Sequence, residues 1–178
     1  MDFDIDSIKQ DIQQLDPHEV NRKYLSSHEV WLFAQMLEVD NHYQHYDQFK
    51  GFLSDKLAVE PENVAIVGSA KTGCSFSPGK NFRAFDHERS DLDVVVVAPD
   101  IFHKAWQAFF EVSRTRYLPN YKHVAGNVFR NFVSLKDVNF DNSFFIGWAK
   151  LAGQLNRDFQ LQFGIENEIN YRIYSDWR

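Results

Sequence analysis

The chain has 178 residues, 44% of them apolar, with 17 Phe, 4 Trp and 7 Tyr, and a formal net charge of −6. That composition excludes a disordered chain, and the acidic balance argues against a general nucleic-acid binder, which needs clustered Lys and Arg on phosphate. The lone cysteine, Cys74, rules out an intramolecular disulfide. No apolar run approaches the roughly 20 residues of a membrane helix. The start, MDFDIDSIK, lacks the charged-then-apolar order of a secretory signal. The expectation is a cytoplasmic protein with no membrane partner. No repeat or Pro/Gly linker divides it, so residues 1–178 read as one domain, helical over 1–60 and sheet-containing over 61–178.

Residues 4–15 read as a short helix, with Ile5, Ile8 and Ile12 near helical spacing and Pro17 closing it. Asn21–Leu25 reads as a further helical piece. Ser26-Ser27 offers an N-cap, with Glu29 in the first turn of a helix carrying Val30, Phe33, Met36 and Leu37. Tyr46, Phe49, Leu53 and Leu57 mark an amphipathic helix over 43–58. A turn cluster at 60–63 leads into a strand at Val64–Val67. A second strand opens with Asp91-Leu92-Asp93 and continues through Val97.

After Pro99-Asp100, with Asp100 as cap, Phe102, Trp106, Phe109 and Ser113 repeat at helical spacing. Residues 124–138 fit helix or strand. Asp141-Asn142-Ser143 caps a helix with Phe144, Trp148, Leu151 and Leu155 on one stripe. Phe159, Leu161 and Phe163 alternate, as do Ile169, Tyr171 and Ile173, which predicts two closing strands. The fold class is α+β, a small mixed sheet flanked by helices.

Chemistry concentrates between the two central strands. Gly68-Ser69 ends the first, where a glycine permits a tight turn and a serine can offer a hydroxyl and an N–H to phosphate. Gly68–Gly73 resembles the opening of a P-loop, but Cys74 stands where the lysine that reaches the terminal phosphates is required. A nucleophile elbow fails as well, because Ser77 stands where its last glycine should be. Alternation puts Asp91 and Asp93 on one strand face and turns Leu92 to the core. Two carboxylates so placed repel each other and call for a cation between them, and a hard divalent metal is the obvious one.

A strand ending in Gly-Ser, a loop, and Asp-x-Asp opening an apolar strand resembles the polymerase-beta nucleotidyltransferase superfamily. The likeness covers about residues 64–98, and the run GSAKTGCSFSPGKNFRAFDHERSDLD also resembles a group of bacterial nucleotidyltransferase-like proteins. The resemblance implies that Gly68 and Ser69 hold the triphosphate of an NTP such as ATP. It also implies that Asp91 and Asp93 hold two magnesium ions, with manganese as an alternative. An NMP would pass to an acceptor, a protein, an RNA end or another nucleotide, with release of pyrophosphate. Phosphoryl transfer asks for positioning and charge neutralisation, which a two-metal clamp supplies.

Two departures stand out. The 22 positions from Ser69 to Asp91 make a long loop for that superfamily. Its cations are Lys71, Lys80, Arg83 and Arg89, of which Lys71 is the best placed for phosphate; a solvated surface loop is the alternative. The superfamily's third carboxylate is assigned to Glu168, on the polar face of the last strand with Asn170, Arg172 and Tyr174; Asp137 and Asp158 are the alternatives. Without a third acid, the expectation shifts to an inactive member of the fold. It would sense nucleotide or bind a protein partner or a second copy of itself, in a toxin–antitoxin or phage-defence setting. A purely structural Asp-x-Asp predicts instead that Lys or Arg salt bridges fill the site.

Overall fold

In the computed structural model, residues 3–36, 41–136 and 141–177 are described. Two short helices open the chain, α1 (Ile5–Gln14) and α2 (Pro17–Val20), the latter running on as a π-helical turn over Asn21–Leu25. Asp4 caps α1 by accepting from the Ser7 N–H, and Asp16 and Glu19 form a reciprocal capping box on α2. α3 (Trp31–Met36) and α4 (His42–Leu57) follow. Ser26 does not start α3. Its N–H donates to the Asn21 carbonyl and closes the π turn, so residues 26–30 form an irregular, bent strap before α3.

β1 (Val64–Val67) leads through Gly68 into one helical turn, α5 (Ser69–Thr72). A long loop then returns to β2 (Leu92–Val97). α6 (Pro99–Thr115), α7 (Tyr121–Phe129), β3 (Phe132–Ser134), α8 (Ser143–Phe163) and β4 (Ile169–Tyr174) complete the order. The ambiguous stretch 124–138 holds both a helix end and a strand. Asp100 lies in the first turn of α6, while Ala98 is its cap residue.

The sheet is mixed, in the order β1-β2-β4-β3. β1 and β2 are antiparallel, β2 and β4 parallel, and β3 and β4 antiparallel. The α+β expectation therefore holds. Period-two burial sets the two faces: Leu92, Val94 and Val96 of β2, and Ile169, Tyr171 and Ile173 of β4, are buried. They join Ile66, Phe102, Phe109, Trp148 and Phe159 in the main core.

The strand expected over 159–163 is instead the last turn and more of α8. Phe159 and Phe163 are four apart, which is one helix face as well as one strand face. Both pack on α4: Phe159 stacks on Phe49 at 4.8 Å between ring centroids, and Phe163 meets Phe49 edge-on at 5.9 Å. Leu161, which a strand would have put beside them, is 84% exposed. Burying Phe159 alone contributes about 2–3 kcal/mol to holding α8 on α4. A second, smaller cluster of Ile8, Tyr24 and Cys74 ties the N-terminal helices to the long loop. Among the described residues no helix is long and apolar enough to cross a membrane.

Candidate functional site

The sheet register assembles the site on the face turned away from the core. Asp93 pairs with Val67 on one side and Asn170 on the other. At the first residue of β2, the Leu92 N–H donates to the Glu168 carbonyl, which sets Asp91, one residue before the strand, beside Glu168. The parallel ladder thus brings Asp91, Asp93 and Glu168 to one end of one sheet face. Asn167 fixes that end: its side-chain amide donates to the carbonyls of His87 and Ser90, both at 2.9 Å, and so anchors the end of the long loop just before Asp91.

Gly68 sits directly against Asp93. Its φ of +68° and ψ of −152° lie in a region that side chains avoid, and a Cβ there would stand 3.0 Å from Asp93 Oδ2. The glycine is required twice over, by backbone shape and by the approach of the carboxylate. Ser69 follows at once, half-buried at the start of α5. The Gly-Ser turn and the Asp-x-Asp strand are therefore neighbours in space despite the long loop between them.

The charges are already partly matched. Lys136, just beyond β3, donates to Glu168 Oε2 at 3.0 Å and to Asp91 Oδ2 at 3.3 Å. Glu168 foremost, with Asp91 beside it, raises the Lys136 ammonium above its ordinary value. Asp93 Oδ1 accepts from the Asn170 amide at 2.9 Å and from Arg172 at 3.4 Å. These are the Lys and Arg bridges that a purely structural Asp-x-Asp predicts. They are solvent-facing pairs, Lys136 and Asp91 being 43% and 44% exposed, and such pairs are weak enough for another cation to displace.

Lys71 is placed elsewhere. It is 2% exposed, and its ammonium donates to the carbonyls of Ser27 and, at 2.6 Å, Glu29. Burial depresses it to about 8, against the opposing pull of the Glu29 charge. Its ammonium is committed to the 26–30 strap, which it ties to α5, and the expected phosphate contact is not part of this arrangement. Asp158 is also elsewhere, on α8 and 3.6 Å from Lys56 of α4. Asp137 lies outside the described residues.

Sequence reasoning passed over Lys136, and it named Asn170 and Arg172 only as neighbours of Glu168. The signal for Lys136 was the alternation Ser134, Leu135, Lys136: with Leu135 buried, Ser134 and Lys136 share the other side. It was unreadable until β3 was separated from α7.

As donors, Asp91 and Asp93 suit a hard divalent cation. Among the described residues no group of three or more His, Cys, Asp or Glu stands close enough to hold a metal. Two carboxylates without a third ligand make a sparse donor set, and Lys136 already bridges Asp91 and Glu168. No family model, curated protein or solved structure matches the chain.

Proposed function

We propose that the chain is a magnesium-dependent nucleotidyltransferase acting on an NTP. The observation that carries the reading is the register: Gly68-Ser69 abuts Asp93, and Asp91 and Glu168 share the same sheet end. Asp91 and Asp93 hold the metal, which when bound neutralises phosphate charge and orients the triphosphate. Gly68 allows the phosphate chain to approach the backbone, and the Ser69 hydroxyl and N–H bind it. Lys136 supplies a fixed positive charge beside Asp91 and holds Glu168 in place. The half-exposed sheet face leaves room for an acceptor, whether a protein, an RNA end or a nucleotide.

The ion pairs favour a second reading, a non-catalytic member of such a fold in which Lys136 and Arg172 replace the metal for good and the chain binds a partner. Thermal unfolding with each NTP, with and without Mg²⁺, separates the two. The comparison takes the natural protein, Asp91→Asn and Lys136→Met. At a hundred times its dissociation constant a ligand stabilises by about 2.7 kcal/mol, several degrees for a domain of this size. The enzyme reading expects a Mg²⁺-dependent shift that Asp91→Asn abolishes, and NMP transfer with the base so identified. If neither the natural protein nor Lys136→Met responds to any NTP, the second reading stands.

A further inference from the structure

An apolar groove lies between α6 and α7, on elements that contribute nothing to the carboxylate site. It encloses about 410 Å³. Phe102, Trp106 and Phe109 form its wall along α6, and Tyr121, Ala125 and Val128 its wall along α7. Spacings of three and four put each set on one face of its own helix. Phe109 and Tyr121 stack across the floor at 5.5 Å.

The rims are aromatic and open. Trp106 is 47% exposed, Phe110 55% and Phe129 90%. Exposed aromatics gathered at one groove are unlike the scattered apolar surface of an ordinary monomer, and they mark interaction sites.

Charge says what fits. Residues 99–131 carry five Lys or Arg against two acids, a net +3 within a chain of net −6. Arg114, Arg116, Lys122 and Arg130 are all exposed, and none has an ion pair among the described residues. Arg114 instead lies over the Phe110 ring, 5.8 Å from its centroid. Arg130 stands in sequence between the lining residues Phe129 and Asn131. An apolar trough on a segment with this basic surplus is complementary to an amphipathic helix with apolar anchors and acidic flanks. A second copy of this chain docking the same face would set one basic surplus against the other. A nucleic acid would match the charge but not the apolar floor.

We infer that the α6–α7 groove docks an acidic amphipathic helix of a partner protein. The inference is independent of the nucleotide site.

The test is selection of a random 16-residue peptide display library on the full chain, with affinities of synthesised winners read by fluorescence anisotropy. The expected winners carry apolar residues three and four apart with Glu and Asp between them. Trp106→Ala should weaken them at least tenfold, and Arg114→Glu with Arg130→Glu should weaken them similarly at low salt. Phe129→Ser, at a 90% exposed site, provides a second groove variant that leaves the core alone. Winners without acidic bias, or winners that bind these variants unchanged, overturn the inference. So does a natural protein that dimerises through this face in sedimentation, with Trp106→Ala monomeric. Tighter binding of a 12-nucleotide oligo-U than of any peptide, lost in the same variants, would reassign the groove to nucleic acid.

Discussion

Replacing Lys71 with Met should remove a pH dependence from the protein's stability. The Lys71 ammonium is buried, and burial moves it from its ordinary 10.5 to about 8. Each pH unit of such a difference is worth about 1.4 kcal/mol, so the full gap is worth about 3 kcal/mol. The sign follows from proton counting. Below pH 8 the amine is protonated in both folded and unfolded chains, and the cost of burying the charge is fully present. Between pH 8 and 10.5 the unfolded chain still holds a proton that the folded chain has released, so stability rises with pH. The neutral amine keeps N–H groups for the carbonyls of Ser27 and Glu29, so the strap stays tied. Lys71→Met has no proton to release, and its loss of the two hydrogen bonds is a constant offset. Other groups titrate alike in both proteins and cancel in the difference. Urea unfolding of both at pH 7, 8, 9 and 10 should show the natural protein gaining about 2 kcal/mol on the variant between pH 8 and 10. Parallel curves would refute the reasoning, because they would mean that the ammonium is solvated rather than buried. A falling difference would mean that the carbonyls hold the charge more strongly than burial disfavours it.

Gly68→Ala should cost on the order of 1–3 kcal/mol in urea unfolding, from its backbone conformation alone. On the proposed function it should also weaken Mg²⁺ binding, since the new methyl group would press on Asp93 Oδ2; a loss of stability below about 0.5 kcal/mol would show that the turn relaxes freely. Tyr171→Phe should be neutral or stabilising by up to about 1 kcal/mol, because the Tyr171 hydroxyl is buried with no partner among the described residues. A clear destabilisation on the same measurement would reveal a partner for it.

Much of the fold was legible because its elements are built by local repetition. Ile5, Ile8 and Ile12, the stripe from Tyr46 to Leu57, and the valines of β2 announce their periods without help from the rest of the chain. Where two periods coincide, the text was ambiguous. Phe159 and Phe163 suit a strand or a helix equally, and only the aromatic face of α4 decides between them. The same holds for Ser26, which looks like a helix start until the carbonyls of 27 and 29 are seen to be taken up by Lys71.

The site divides along the same line. That Asp91 and Asp93 share a face is a property of any strand, and that a glycine leaves β1 is visible in the chain. These features were the sequence's own to determine. That Asp93 lies against Gly68, that Glu168 comes to rest beside Asp91, and that Lys136 bridges the two acids depend on the order β1-β2-β4-β3. The turning of Lys71 toward the N-terminal strap depends instead on how α5 packs there. Local periodicity is encoded within about ten residues, whereas these contacts join positions up to 77 apart. Only the strand pairing and the packing of α5 against the strap bring such partners together, which is why the tertiary structure had to decide them.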